Sequence, residues 1–307
     1  MTRALVTGAT GFIGGRLAQK LTKRGTDVRC LVRDRSRARD LENAGLELHE
    51  GDVLDPDSLR GAGEGVSTAY YLVHSMGRGG DRGGFAERER ESATNFARMA
   101  REEGVERVVY LGGLGEPRSP HLRSRAETAA VLAREGPPLT YFRAAMVIGA
   151  GSESYKVVRY LVARLPAMIA PAWLRNRTQP IAIDDVLEYL AEAAERPEAA
   201  GREVQIGGPD VVTYGEVLSM MADVLGLRRR PQLPVPFITP WLSSHWIGLV
   251  TPVDAGVARP LIESLASDTV VTEPAPASIF DVRPMGCMEA LRLAHAEETR
   301  VAVAAPS

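Results

Sequence analysis

Apolar and polar positions follow two alternating rhythms along the first half of the chain. Short runs rich in Val, Leu and Tyr, bounded by Gly, Asp or Pro, fall at 4–7, 27–32, 46–49, 68–73, 108–111 and 139–142. Brief β-branched and aromatic runs between turn residues predict strands. The longer segments between them carry helical spacing and predict helices over 12–24, 36–44, 57–61, 85–103 and 123–134. Strand and helix in steady alternation mean parallel strands with crossover helices on both faces, so the predicted fold class is α/β with a doubly wound parallel sheet.

The rhythm changes after Gly149, where Pro and Gly become frequent. A strand at 180–183 runs into a helix from Asp184 to about 194, and 204–206 reads as another strand. Thr213 and Glu216, three residues apart, match a capping box that opens a helix to about 225. Residues 228–290 carry many prolines and little periodicity, which predicts loops and short helices, and 301–307 reads as a loose tail. The first 150 residues, completed by about 178–200, are thus expected to form one domain. Residues 151–177 and 201–307 would form a smaller region covering a substrate.

The most informative local pattern is the turn Gly8-Ala9-Thr10-Gly11-Phe12-Ile13-Gly14, which leaves the first strand and enters the first helix. A dinucleotide pyrophosphate needs such a turn: glycines let backbone N–H groups approach the phosphates, and the helix N-terminus adds partial positive charge. The preceding strand, the following helix and the alternating pattern are the context that a glycine triplet requires. Gly8, Thr10, Gly11, Phe12, Ile13 and Gly14 are therefore candidate cofactor ligands in a Rossmann domain. A site for NAD(H) places Asp or Glu about 20 residues on, at the end of the second strand. Arg33 stands there instead, followed by Arg35, Arg37 and Arg39. A guanidinium suits the 2′-phosphate of NADP(H), so NADP(H) is the expected cofactor and NAD(H) the lesser candidate, with Asp34 as the counter-signal.

Composition narrows the rest. With 45% hydrophobic and 25% charged residues the chain reads as an ordinary soluble protein, and a net charge of −2 gives no pull toward nucleic acid or anionic membrane. Two cysteines cannot build a disulfide framework, and Cys30 inside a strand reads as a small hydrophobe. The apolar stretches 157–174 and 237–253 are interrupted by Arg, His and Pro and fall short of the ~18–20 apolar residues of a membrane span. They are read as a lid over an apolar small-molecule substrate, or as the interface of a homodimer. The run 4–6 is too short for a signal peptide, which points to the cytoplasm. His49, His121, His245 and His295 show no metal-ligand spacing, so no metal is expected.

Taken together, the Gly8, Gly11 and Gly14 spacing, the segment Gly51-Asp52-Val53-Leu54-Asp55, Asn95, Arg107-Val108-Val109-Tyr110-Leu111, Phe142-Arg143, Ile183-Asp184-Asp185-Val186 and the 204–209 segment with its following helix resemble a known group. This is the extended and atypical short-chain dehydrogenases/reductases, in particular their NAD(P)H-binding, NmrA-like branch, over about 1–225. The resemblance implies that Asp52 and Val53 contact adenine. It also implies that Val73, His74 and Ser75 lie along the cofactor toward the nicotinamide, with His74 a candidate catalytic group.

The sequence departs from that group where the chemistry would be. Redox members use a Ser after the fifth strand and a Tyr-x-x-x-Lys pair, but here Gly112-Gly113 ends the strand, and His121 and Arg125 fall in the Tyr and Lys places. Arg125 is a fixed charge that can hold a ribose hydroxyl or an oxyanion. His121 is the candidate proton donor near neutral pH. Against it stands Ser124, which with Glu127 also matches a capping box and would leave His121 in a loop. Asp184 and Asp185 are explained by a helix start, and Tyr110 by the core. Three functions fit: an NADP(H)-dependent oxidoreductase on a small, fairly apolar carbonyl, enoyl or hydroxyl compound; a non-catalytic NAD(P)-binding redox sensor; or a non-redox isomerase or cyclase on the same fold.

Overall fold

The computed structural model describes residues 2–73, 84–165, 168–170, 172–234, 267–275 and 278–304. The elements of the first half run β1 (Arg3–Thr7), α1 (Phe12–Lys23), β2 (Asp27–Val32), α2 (Arg39–Asn43), β3 (Glu47–Glu50), β4 (Thr68–Tyr71), α3 (Phe85–Glu102), β5 (Arg107–Gly113), α4 (Pro120–Glu135) and β6 (Leu139–Ala144). The later ones are β7 (Val147–Ile148), α5 (Glu153–Arg164), β8 (Met168–Ala170), β9 (Arg177–Thr178), β10 (Ile181–Ala182), α6 (Ile183–Glu195), β11 (Glu203–Ile206), β12 (Val212–Thr213), α7 (Tyr214–Val224), β13 (Gln232–Pro234) and α8 (Cys287–Ala304).

Seven strands form one sheet in the order β11-β6-β5-β4-β1-β2-β3, all paired parallel. The order reverses between β1 and β4, the crevice where open parallel sheets take their ligands. Side chains alternate across β1: Ala4 and Val6 join the core under α1 and α6, while Leu5 joins the core under α3 and α4. The seventh strand, Glu203–Ile206, lies beyond the residue-200 limit expected for the nucleotide-binding part.

The six expected strands of the first half all form, with ends shifted by up to two residues. The expected helices over 36–44 and 57–61 differ. The first is a tight turn, Arg35–Ala38, followed by the five-residue α2, and the second is the four-residue turn Pro56–Leu59. Helix α4 begins before 123 because the Ser119 hydroxyl caps it, accepting from Leu122 N at 3.1 Å, with Pro120 in the first turn. Helix α5, unforeseen, is capped by Ser152 and absorbs much of the apolar stretch after 157.

A third apolar core gathers Tyr155 and Leu161 of α5, Val217 and Met221 of α7, and Leu291 and Ala294 of α8. Two buried carboxylates on α6 fasten the segment leading to α8. Asp185 accepts from Met285 N at 2.9 Å and Glu192 from Asp281 N at 3.0 Å. Among the described residues no helix is long and apolar enough to cross a membrane; the stretch 237–253 lies outside them.

Candidate cofactor site and active site

The end of β1 is locked to β4 through Thr7. Its buried hydroxyl donates to Tyr70 O at 3.0 Å and accepts from Leu72 N at 2.9 Å. This brings Gly8 so close to β4 that a Cβ there would lie 2.5 Å from the Leu72 carbonyl oxygen, and Gly8 also takes φ +65°. The Gly8 carbonyl accepts from Gly11 N at 2.8 Å, closing the turn. A Cβ on Gly14 would run into that same carbonyl. Gly8 and Gly14 are thus required by the turn itself. Gly11 differs: its φ of −91° is ordinary, it is exposed, and a Cβ would meet only Gly8 O at 3.1 Å.

Helix α1 starts at Phe12 with no side-chain cap and no acidic residue in its first turn. Uncapped first-turn N–H groups next to an open glycine suit a pyrophosphate, so the residues present fit the dinucleotide on this ground. Thr10 is exposed, and Phe12 and Ile13 are half-buried. The Arg16 guanidinium lies 5.1 Å from the centre of the Phe12 ring.

At the end of β2 the four arginines separate. Arg35 pairs with Glu42 at 2.8 Å and Arg37 with Asp34 at 3.5 Å. Asp34 is also taken up by Ser36, accepting from its N at 2.9 Å and its hydroxyl at 2.5 Å. The Ser36 bonds hold its carboxyl below the usual carboxylate range. Asp34 therefore caps a turn. Arg33 is exposed, with no partner among the described residues. Beyond β3, Asp52 Oδ1 accepts from Leu54 N at 3.0 Å, and Asn95 Nδ2 donates to Val53 O at 3.0 Å. Val53 packs its side chain into the core, with half-buried Val73 against the same cluster. His74 and Ser75 lie outside the described residues.

At the carboxyl end of β5, α4 brings His121 and Arg125 onto one face, four residues apart in one helix. The Ser124 capping box does not form; Ser124 is buried within the helix. Arg125 Nη1 donates to Leu111 O at 3.1 Å, anchoring the guanidinium at the strand end. His121 departs from expectation. Burial, reinforced by the Arg125 charge, pulls its pKa down to about 3, so the imidazole is neutral at physiological pH. It can offer one N–H as a hydrogen-bond donor, but it carries no dissociable imidazolium proton near pH 7. In a histidine-selective NMR titration between about pH 5 and 8, the His121 ring signals should stay flat. A midpoint inside that window would reinstate it as a neutral-pH acid.

The two glycines that end β5 have a steric cause. A Cβ on Gly112 would lie 2.7 Å from the Tyr141 ring, and one on Gly113 would lie 2.5 Å from Leu122 Cδ2. Arg143 holds the turn that follows, its Nε donating to Gly113 O at 3.2 Å and its Nη2 to Gly115 O, while Nη1 pairs with Glu203 at 2.8 Å. Tyr110 is fully buried, as expected. Cys30 and Cys287 are also buried, which pushes each thiol up to about 12 and leaves neither as a nucleophile. A cavity of about 460 Å³ lies between α1, α6 and α8, and none of the expected site residues lines it.

Residues 8–143 match the family described as NAD(P)H-binding, and this part of the chain is an NAD(P)H-binding domain. Among similar proteins, sterol demethylase protein B of Methylococcus capsulatus is 36% identical over 112 residues, covering 36% of this chain and 34% of that protein. The chain thus spans only about a third of that relative. The rat mitochondrial NADH dehydrogenase [ubiquinone] 1 alpha subcomplex subunit 9 is 24% identical over 284 residues, 88% of this chain and 73% of that one. The Escherichia coli NADPH-dependent quinone oxidoreductase, solved with NADPH, superposes with a TM-score of 0.74 at 19% identity, covering 94% and 98% of the two chains. That likeness shows a shared fold.

Proposed function

We propose that the protein is an NADP(H)-dependent reductase of a small, fairly apolar carbonyl, enoyl or hydroxyl compound. NADPH, when bound, supplies the hydride. The observation that carries the reading is the open, uncapped glycine turn and an exposed Arg33 with no partner among the described residues, with the competing Asp34 carboxylate already engaged. Thr10, Gly11, Phe12 and Ile13 would hold the pyrophosphate, Asp52 and Val53 the adenine end, and Arg33 the 2′-phosphate. Arg125, fixed to the end of β5, would hold ribose and support negative charge on a substrate oxygen. Neutral His121 beside it would donate a hydrogen bond to that oxygen. The proton that completes reduction would come from water.

The test is transfer of label from stereospecifically deuterated NADPH to product, over a panel of quinones, enones and aldehydes. Transfer from one face of the cofactor is expected. Tight NADPH binding with no transfer to any member would favour a redox sensor over a reductase.

A further inference from the structure

The site lacks the serine hydroxyl usual at the end of the fifth strand, yet the place is not empty. Tyr141 stands opposite Tyr110 in the β5–β6 register, and the two rings stack at 5.3 Å. Tyr141 leans toward the strand end, so that its hydroxyl oxygen lies 2.8 Å from where a Cβ of residue 112 would be. A serine Oγ is one bond from its Cβ. The tyrosine oxygen therefore sits close to the position a serine hydroxyl at 112 would take. Its ring shares the apolar cluster formed by α3 and α4 with the sheet, the same side as Arg125.

Exposure separates Tyr141 from its neighbours. Tyr71 and Tyr110 keep 1% and 0% of their surface, whereas Tyr141 keeps 8%. Tyr110 spends its hydroxyl on the Arg125 carbonyl at 3.5 Å. The Tyr141 hydroxyl makes no hydrogen bond among the described residues and is not one of their fully buried unpaired polar atoms. Among the described residues it is a donor without an acceptor, in a side chain that keeps some exposure.

Resting on the reductase reading, we propose that Tyr141 supplies the hydroxyl that Gly112 lacks, donating a hydrogen bond to the substrate oxygen as negative charge builds there. Burial raises its pKa above the ordinary tyrosine value, with Tyr110 adding to the effect. The group therefore stays protonated and donates without dissociating. In the reduction, hydride passes from NADPH to the substrate, water provides the proton, and the products are the reduced compound and NADP⁺. Tyr141 gains and loses no atom. The presence of glycine at 112 and tyrosine at 141 then has one explanation, since any side chain at 112 would displace the ring.

Tyr141→Phe keeps the stacked ring and removes only the oxygen. With menadione as the probe quinone, its turnover should fall about 10²- to 10³-fold, the scale for losing a donor aimed at developing charge. Melting temperature and NADPH affinity should stay at the wild-type values. The unreactive NADP⁺ complex should bind menadione about tenfold more weakly, as for one lost hydrogen bond. If wild type turns over and Tyr141→Phe matches it, the Tyr141 assignment falls and the reductase stands. If no turnover occurs but the NADP⁺ complex binds menadione and the variant binds it more weakly, the hydroxyl site stands and the reductase reading falls. Absence of both turnover and binding overturns both, and a parallel loss of NADPH affinity overturns the substrate role of Tyr141.

Discussion

Gly11→Val is expected to abolish binding of NADPH and NADH alike while leaving the protein folded. The expectation rests on the contrast between three glycines in one turn. Gly11 has extended backbone angles that valine adopts readily, so the strain anticipated for a glycine in such a turn is absent there. A Cβ meets only the Gly8 carbonyl, at 3.1 Å, and otherwise opens onto the exposed side of the turn at the α1 N-terminus. That is the space the pyrophosphate would occupy, so a loss of more than about a hundredfold in affinity, roughly 3 kcal/mol, follows from excluding it. Gly14→Val should behave differently. Its Cβ strikes the Gly8 backbone, which cannot yield without opening the Thr7 link between β1 and β4. It should destabilise the fold by about 1–3 kcal/mol, the usual scale of overpacking, as well as end binding. Calorimetry with both cofactors and a thermal melt separate the two. Normal NADPH binding by folded Gly11→Val would show that the phosphates lie elsewhere.

The parts of this arrangement legible in the sequence are those whose cause is local. The β1 turn and α1 follow from glycine spacing and helical periodicity within one stretch of chain, and the central strands announce themselves because both faces are buried. The start of α4 is where the Ser124 and Glu127 pattern misleads; the structure instead caps the helix at Ser119, with Pro120 in its first turn, which places His121 on the face of Arg125. Helix α5 was obscured by surrounding prolines and glycines, although Ser152 offered a cap. The neutral state of His121 could not be read, because desolvation depends on what the fold packs around the ring. Tyr141 was illegible for a related reason. It lies in an ordinary apolar strand, and only the register of β6 against β5 carries its hydroxyl over Gly112.

Arg33→Ala should weaken NADPH binding by about 1.5–3 kcal/mol, ten- to a hundredfold, and leave NADH binding nearly unchanged. The four arginines after β2 are not equivalent. Arg35 and Arg37 are committed to Glu42 and Asp34, and removing either would expose an acidic side chain without touching a free donor. Arg33, at the end of the strand where a cofactor's adenosine ribose would lie, keeps its guanidinium without a partner among the described residues. Asp34, the group that would read an NAD ribose, has its oxygens engaged by Ser36 and Arg37. Arg33→Lys should recover part of the loss, since it keeps the charge but not the planar fork. Because the contact is exposed, the NADPH advantage over NADH should also shrink with added salt, as screening shortens the reach of the charge to ~10 Å at 0.1 M. Equal losses for both cofactors in Arg33→Ala, or an advantage indifferent to salt, would mean that the 2′-phosphate is held by another group.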